Sequence, residues 1–413
     1  TDTSYWLGTE NGIYIYHFLT GETDHISSNY QDDYALPGDH VYDLYNDGQG
    51  GVWVATNKGI NYYSLYSRLF ERVRFGTSSQ HLGLGNIKQV FTSSDGAHWI
   101  GTDQGFYLLN PKNMHYPKRL LEGCVNDLVQ QGKFLWLAMS DGLRKFNLET
   151  LALENEMLPS QLNQRVINRV TIDKSGMLWV ATEEGLIRYQ PDSKVTENFG
   201  FDWVAKQYFP TQITHLYTSS TGTVWIGTDH GLYYYANGRL QFERSGETLL
   251  ARTLDMSETV GGKTWRISSR GLSLYNPETL VQRIVPLFEA DIKPLCSVST
   301  ANGMWLSTSK GLSFYSNEGQ LLHHYGAPFG LINNEFLPDV CSVAPNGDHL
   351  IFGSKLGIIM TSEKALKATQ LPLSRVKFGQ VLLDRKPFEF APDSSKQYQV
   401  PHGKNLSFVV GVL

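Results

Sequence analysis

One short pattern occurs nine times along the chain: a tryptophan, or its replacement, followed six residues later by glycine. The nine copies start at Trp6, Trp53, Trp99, Trp136, Trp179, Trp225, Trp265, Trp305 and, in a degenerate form, Ile351. The shortest interval is 37 residues, from Trp99 to Trp136, and the longest is 47, from Trp6 to Trp53. Strand-forming repeats of this length are typical of a β-propeller.

The residues within each repeat predict strands and turns. In Trp179-Val-Ala-Thr182 the alternation puts the indole and the small alanine on one strand face, which suits the packing of one blade on the next. The polar-polar-glycine segment that follows predicts a three-residue hairpin with a left-handed glycine. The next strand carries Tyr or Phe at its fourth position in every repeat except two, which have Leu109 and Thr361. With an apolar strand upstream and room for a fourth, each repeat is expected to form a four-stranded blade.

The number of repeats leaves the closure of the ring open. Propellers have up to about eight blades, whereas nine repeats are present. Counting seven repeats back from Ile351 reaches Trp99 and leaves Trp6 and Trp53 to an earlier ring. A single ring of seven or eight blades with a shared closing blade is the alternative.

The array is predicted to cover residues 1–366. Residues 367–413 contain no anchor, and their strand-like segments are predicted to be the first strands of a β-sandwich that is cut short. The chain is therefore expected to be a fragment of a longer protein.

Composition excludes some classes of partner and site. The net charge is −5 and basic residues form no long run, which argues against nucleic acid. No apolar stretch reaches the roughly 18 residues of a membrane span. The three cysteines, Cys124, Cys296 and Cys341, each lie in an apolar strand ahead of an anchor. We expect them to be buried as small hydrophobic residues, with no disulfide framework and no metal spacing.

No catalytic or cofactor motif is present. The sequence lacks the His-Glu-x-x-His, Cys-x-x-Cys and Gly-x-Ser-x-Gly patterns and a phosphate-binding glycine loop. A threonine recurs at the end of the anchor strand (Thr56, Thr102, Thr182, Thr228), which favours a role in the scaffold, because a nucleophile is needed only once. We therefore predict no catalytic residue, no metal and no cofactor.

Ligand-binding residues are expected where the repeats differ. The turns after the anchor strands and the links between blades emerge on one face of a propeller. Candidate residues on that face are Trp203, Tyr208, Asp103, Glu183, Glu184, Asp229, His230, Arg270, Asn334 and Glu335. Carboxylates, amides and an arginine beside aromatic rings suit a sugar. The alternative is that these residues form a solvated rim, with Trp203 and Tyr208 packed against the blades.

The consensus of an apolar strand, Asp-x-x-Gly and Trp-Ile-Gly-Thr-x-x-Gly-Leu-x-x-Tyr resembles the two-component-regulator propeller repeat. The resemblance covers residues 1 to about 366. Phe329–Phe336 with Leu350–Ser354 is similar to the terminal unit of such arrays, although Ser354 replaces a glycine, and Asn405–Phe408 looks like the opening strand of the three-tyrosine sandwich that follows them. The resemblance implies rings of seven blades and the periplasmic sensor region of a membrane-anchored hybrid two-component protein or diguanylate cyclase.

These features predict a non-catalytic periplasmic domain that detects an oligosaccharide or another small molecule and signals through a homodimer. A ligand shifts an equilibrium only if it binds one arrangement better than the other, which is why a dimer is expected. One alternative is a propeller lyase, similar to those acting on cyclic peptide antibiotics, with His and Glu holding a divalent metal at the central opening. His40 and His215 are its candidates, but no paired acid is recognisable. A protein-binding scaffold is the other alternative.

Overall fold

The described residues form two compact units. One comprises Ser64–Leu366 and the other comprises Thr1–Tyr63 with Lys367–Leu413. The computed structural model describes residues 4–29, 35–48, 51–74, 84–93, 95–110, 113–200, 212–243, 251–277, 279, 281–355, 357–369, 376–388 and 400–412.

Three small antiparallel sheets belong to the first and last parts of the chain. The first contains β1 (Ser4–Thr9), β2 (Gly12–His17) and β3 (Thr23–Ile26). The second contains β4 (Val41–Asn46), β5 (Gly51–Thr56) and β6 (Gly59–Ser64). The third forms at the end of the chain from three strands in the order Lys386–Phe388, Val376–Leu383, Leu406–Val412. The Trp6 and Trp53 repeats therefore give three-stranded sheets.

The unit Ser64–Leu366 contains seven four-stranded blades. Its first strand is β7 (Glu71–Arg74). Blade 1 has β8 (Ile87–Thr92), β9 (His98–Thr102), β10 (Gly105–Asn110) and β11 (Asn113–Glu122). Blade 2 has β12 (Val125–Gln131), β13 (Phe134–Met139), β14 (Gly142–Asn147) and β15 (Ala152–Leu153). Blade 3 has β16 (Ile167–Ile172), β17 (Leu178–Thr182), β18 (Gly185–Gln190) and β19 (Val195–Gly200).

The remaining blades follow the same order. Blade 4 has β20 (Ile213–Thr218), β21 (Val224–Thr228), β22 (Gly231–Ala236) and β23 (Arg239–Phe242). Blade 5 has β24 (Thr253–Glu258), β25 (Thr264–Ser268), β26 (Gly271–Asn276) and β27 (Val281–Val285). Blade 6 has β28 (Pro294–Thr300), β29 (Gly303–Thr308), β30 (Gly311–Tyr315) and β31 (Leu321–Tyr325). Blade 7 has β32 (Phe336–Val343), β33 (His349–Ser354) and β34 (Gly357–Ser362).

A few short helical segments join these strands. They are 3₁₀ turns at Leu65–Leu69, Ser160–Leu162 and Ala327–Phe329 and the helix α1 at Glu363–Ala368. No helix among the described residues has the length and apolar character to cross a bilayer.

The ring is closed by a strand from the start of the unit. The fourth strand of blade 7 is β7, which pairs antiparallel with β34 from Gly357↔Arg74 to Met360↔Glu71. The inner strands of successive blades contact one another, and β32 of blade 7 contacts β8 of blade 1. The structure thus has seven blades. The ring starts at the Trp99 repeat, as one alternative had it, and its closing blade is shared between the two ends of the unit, as the other had it. Among its described residues the Trp53 repeat has no fourth strand of its own, and β7, which follows it, completes blade 7 instead.

The repeated aromatic residues form the core between neighbouring blades. At five interfaces the anchor indole of one blade contacts the aromatic ring of the fifth residue of the third strand in the next. These pairs are Trp99–Phe146, Trp136–Tyr189, Trp179–Tyr235, Trp225–Tyr275 and Trp265–Tyr315, with ring centroids 4.7 to 6.3 Å apart. The predicted packing of large against small residues is confirmed, since Trp179 and Ala181 face the blade that carries Tyr235.

The turn after the anchor strand differs from the prediction. Thr182 pairs directly with Gly185, so the hairpin loop has two residues and not three. Gly185 has φ +132°, a conformation that L side chains rarely adopt, but it lies outside the left-handed helical region. The Thr182 hydroxyl donates to the Gly185 carbonyl at 3.0 Å and accepts the Glu184 N–H at 3.1 Å. The recurring threonine is therefore part of the scaffold, as its recurrence indicated.

The prediction of free, hydrophobic cysteines is wrong for two of the three. Cys296 in β28 and Cys341 in β32 form a disulfide with Cα atoms 6.1 Å apart, while Cys124 is free. The two residues are 45 positions apart in sequence, about one repeat, so neighbouring blades place them side by side on adjacent inner strands. The sequence pattern alone did not reveal the pairing because it depends on this juxtaposition.

Candidate functional site

A β-bulge near the start of each inner strand places one residue of that blade on the central channel. In six blades this inner-strand residue pairs with the residue two positions after the anchor on the neighbouring strand. The bulge lies just before it, where the register between the two strands shifts by one residue. The six are Gln89, Asp127, Arg169, His215, Asp255 and Cys296. In blade 7 the irregular segment between Phe336 and Cys341 is longer and contains Asp339, whose φ is +57°. The irregularity of these strands therefore assembles ionisable groups around the axis.

Arg169 connects its own blade 3 with blades 2, 4 and 7 at the centre of this cluster. Its Nε donates to the Thr214 carbonyl at 2.9 Å and its Nη1 to the Asn126 carbonyl at 3.2 Å. Its Nη2 lies 2.5 Å from Asp339 Oδ2. The other Asp339 oxygen is 3.3 Å from His215 Nδ1, and His215 Nε2 is 3.7 Å from Asp255 Oδ1. The result is a buried chain of alternating charges across the channel.

Two aspartates at the central channel, Asp127 and Asp255, also join adjacent inner strands. Asp127 Oδ2 accepts the Val170 N–H at 2.9 Å, and Asp255 Oδ2 accepts the Ser297 N–H at 2.5 Å and its hydroxyl at 2.8 Å. Asp127 Oδ1 accepts the Gln89 amide at 3.0 Å. Because buried carboxylates need such donors, these bonds both satisfy the aspartates and hold neighbouring blades together.

Burial and neighbouring charges shift the pKa values of this cluster in opposite directions. Burial raises the pKa of Asp127, and it raises the pKa of Asp255 to about 6, although His215 opposes the latter shift. For Asp339 the positive charges of Arg169 and His215 outweigh burial and lower the pKa. Asp339 in turn outweighs the burial of His215 and raises the histidine pKa. The ion pairs of Asp339 with Arg169 and His215 are therefore the charged core of the cluster.

We expect Asp255→Asn to flatten the dependence of stability on pH. The raised pKa means that the folded protein holds this proton more tightly than the unfolded chain, so stability is lost as pH rises from about 4 to about 6. Relative to the variant, the wild-type free energy of unfolding should fall by about 2 kcal/mol over this interval. Urea unfolding at several pH values measures the difference. Asp192→Asn, an exposed change, is the control; equal slopes for wild type and Asp255→Asn would contradict the expectation.

His215, Asp255 and Asp339 could in principle hold a metal ion, and so could Asp255 with the two cysteines. The sulfurs are already joined to each other, and the guanidinium of Arg169 occupies one oxygen of Asp339. The expectation that His215 has no paired acid is wrong, because two aspartates flank it. His215 Nδ1 lies 3.3 Å from Asp339 and Nε2 lies 3.7 Å from Asp255, so the ring stands between two carboxylates. The arrangement therefore suits a structural charge network better than a catalytic base.

A cavity of about 400 Å³ opens at the end of the channel where the inner strands begin. Arg169 and Asp339 line it, together with Ile87, Ile213 and the segment Leu337–Val340. The polar residues of its wall are Asn86, Lys88, Asn126, Asn168, Gln212, Thr214 and Arg252. Six of the seven blades contribute to this surface, which we call the axial cavity, and its volume is in the range of small-molecule sites, roughly 300–1,000 Å³.

None of the described residues predicted to bind ligand lines the axial cavity. Several already have partners within the protein. The Asp103 carboxylate accepts hydrogen bonds from the backbone N–H and from the side-chain amide of Asn86. Glu184 pairs with Arg165, and Asp229 lies 3.0 Å from the His230 ring. Glu335 is buried and binds Arg72 of the closing strand at 3.0 Å. Glu183 and Arg270 lie on exposed turns, and the Asn334 N–H donates to the Ser309 carbonyl at 2.6 Å. Trp203 and Tyr208 lie outside the described residues, and ligand binding by all ten stays a prediction.

The axial residues were missed although the sequence contains a signal for them. Nine or ten positions before successive anchors stand Gln89, Asp127, Arg169, His215 and Asp255, each inside an otherwise apolar strand. Ionisable residues at a fixed offset in buried strands indicate a shared polar axis. The ligand-binding candidates came instead from the turns, where the repeats differ in charge.

Comparison with known proteins confirms the repeat and the fold. Residues 35–58 match the family model described as two component regulator propeller. Histidine kinase P4 of Formosa agariphila is 24% identical over 314 residues, covering 70% of this chain and 21% of that protein. The extracellular domain of a hybrid two component system from B. thetaiotaomicron has a TM-score of 0.71 at 19% identity, over 98% of this chain and 57% of that one. A streptogramin B lyase has a TM-score of 0.56 at 12% identity, over 70% and 96%. The chain thus spans about a fifth of the curated relative and just over half of the first solved structure.

Proposed function

We propose that this chain, whose repeats are those of the two-component-regulator propeller, is the periplasmic ligand-sensing region of a membrane-anchored signalling protein of the histidine kinase class. Its ligand is an oligosaccharide or another small molecule that binds in the axial cavity. Two similar proteins support this: one is a histidine kinase and another is the extracellular domain of a hybrid two component system.

The observation that carries the proposal is the form of the axial cavity. It is concave, it is lined by amides and charged groups from six blades, and apolar side chains form part of its wall. The Arg169–Asp339 pair in its wall and the disulfide between β28 and β32 hold the inner strands. A binding site built on rigid elements in this way is preorganised for a ligand.

The axial geometry supports binding rather than catalysis. His215, the histidine considered for a lyase, does not line the axial cavity and lies between Asp255 and Asp339. A ligand in the cavity would instead meet side chains that differ from blade to blade, as recognition of one asymmetric molecule requires. Signalling then follows if the bound state favours one arrangement of two protomers, so we propose a homodimer as the signalling form.

Filling the axial cavity is expected to abolish ligand binding. Asn168 lies half-buried on the bulge of β16 and lines the cavity, so Asn168→Trp would occupy part of its volume. Asn198→Trp, an exposed change on the outer strand of the same blade, is the matched control. Isothermal titration against a panel of neutral and charged oligosaccharides measures affinity, and light scattering measures mass with and without ligand.

We expect wild type and Asn198→Trp to bind a member of the panel, and Asn168→Trp to bind none while keeping the wild-type unfolding midpoint. Binding unaffected by Asn168→Trp would place the ligand elsewhere. A protein that binds no member of the panel and stays monomeric would contradict the proposed function itself.

A further inference from the structure

The axial cavity has an excess of positive charge. Lys88, Arg169 and Arg252 line it, against the single carboxylate of Asp339. Asp339 is already paired with Arg169 at 2.5 Å and lies 3.3 Å from His215. The chain as a whole carries a net charge of −5, so the charge of this surface is opposite in sign to the net charge of the protein.

Four of the polar side chains at the cavity are available to a ligand. Lys88 and Asn168 are the extra residues of the bulges in blades 1 and 3, and Gln212 and Arg252 immediately precede the inner strands of blades 4 and 5. Among the described residues, none of these four side chains has a hydrogen-bond or ion-pair partner. By contrast, Asn86 and Asn126 are engaged with Asp103 and with the Ile167 carbonyl. Two cations and two amides are therefore left to bind something other than the fold.

We infer that the ligand of the axial cavity is an anionic oligosaccharide, with a carboxylate or sulfate ester held by Lys88 and Arg252 and hydroxyl groups held by Asn168 and Gln212. This inference rests on the proposed function and specifies its ligand class. Guanidinium and ammonium groups are the usual partners of carboxylate and sulfate oxygens. Amides can donate to one sugar hydroxyl and accept from another.

The walls of the cavity fit the same ligand. Ile87, Ile213 and the segment Leu337–Val340 provide apolar surface beside the polar groups, and a sugar ring presents an apolar face as well as hydroxyls. The positive electrostatic potential of Lys88 and Arg252 is focused in a concave site, and it also raises the local concentration of anions. A neutral sugar would leave both cations without a counter-charge.

The test uses matched pairs of probes in titration calorimetry with the whole chain. One arm compares oligouronates with their uncharged methyl esters, and a second arm compares sulfated oligosaccharides with their desulfated forms. The variants are Lys88→Ala and Arg252→Ala. The controls are Lys118→Ala and Arg239→Ala, exposed cations on the outer strands of blades 1 and 4. Unfolding midpoints verify that each variant is folded.

We expect a charged probe to bind, its uncharged partner to bind at least about ten-fold more weakly, and affinity to fall with added salt. Lys88→Ala and Arg252→Ala should each weaken binding about ten-fold or more, and the two controls should leave it unchanged. The arm that responds identifies the anion as carboxylate or sulfate.

Equal affinity for a charged probe and its neutral partner, or affinity unchanged by Lys88→Ala and Arg252→Ala, would overturn the inference. Neutral sugars that bind and are blocked by Asn168→Trp would overturn the anionic ligand while leaving the proposed function standing. Absence of binding in both arms and in the neutral panel would remove the inference and the proposed function together.

Discussion

Replacing Arg169 by methionine is expected to lower the free energy of unfolding by about 3–5 kcal/mol, the usual cost of leaving buried charges without their partner. The guanidinium donates to two backbone carbonyls and to Asp339, and it moderates the raised pKa of Asp127. Methionine keeps most of the volume but none of these bonds. Asp339, Asp127 and Asp255 would then face one another with His215 as the remaining positive group.

Urea unfolding followed by tryptophan fluorescence measures this loss, because Trp136 and Trp179 are buried between the blades. Arg239→Met, on an exposed outer strand, is the matched control and should stay within about 0.5 kcal/mol of wild type. The deficit of Arg169→Met should shrink as pH falls below about 4, since the lowered pKa of Asp339 depends on Arg169. A deficit below about 1 kcal/mol at pH 7 would show that the guanidinium is not the centre of the network.

Removing the disulfide is expected to have the next largest effect. Replacing both Cys296 and Cys341 by serine should lower the free energy of unfolding by about 2–4 kcal/mol, because the bond closes a 45-residue loop of the unfolded chain. It also joins the inner strands of blades 6 and 7, the last two before the ring closes. The measurement is urea unfolding of the oxidised proteins.

Two controls separate the bond from the side chains. Cys124→Ser removes the free cysteine and should change stability little, since Cys124 is only partly buried. A thiol reductant should destabilise wild type to about the level of the double variant and leave the double variant unchanged. If reductant has no effect on wild type while the double variant is destabilised, the loss belongs to packing of the serines and not to the bond.

The blades could be predicted from the sequence because the core between them is formed by the same residue types in consecutive repeats. Five anchor indoles meet the aromatic residue of the next repeat, so one short pattern specifies both sides of most interfaces. Two positions that depart from the pattern indicate how the ring closes. The degenerate anchor Ile351 of blade 7 and the exceptional Leu109 of blade 1 pack in one hydrophobic cluster, where these two blades meet. Reading these two departures as partners would have selected the ring that starts at the Trp99 repeat.

The axial network could be predicted only in part. Its members from blades 1 to 5 stand at a regular offset before the anchors, but Asp339 comes from an irregular segment with a left-handed residue. The pairing of acidic and basic residues in the network depends on how the blades are arranged around the axis. No local sequence pattern specifies that arrangement. The same holds for Cys296 and Cys341, whose bond follows from strand adjacency rather than from cysteine spacing.

Closure by β7 also imposes an order on biosynthesis. Glu71–Arg74 leaves the ribosome early, yet its partner Gly357–Met360 follows nearly three hundred residues later. Until then the strand has an open edge, and Leu109 of blade 1 lacks the apolar surface of Ile351. Contacts so distant along the chain form slowly, and exposed edges invite pairing with other chains. The interval before closure is therefore the stage of synthesis at which a nascent chain of this kind most needs protection from its neighbours.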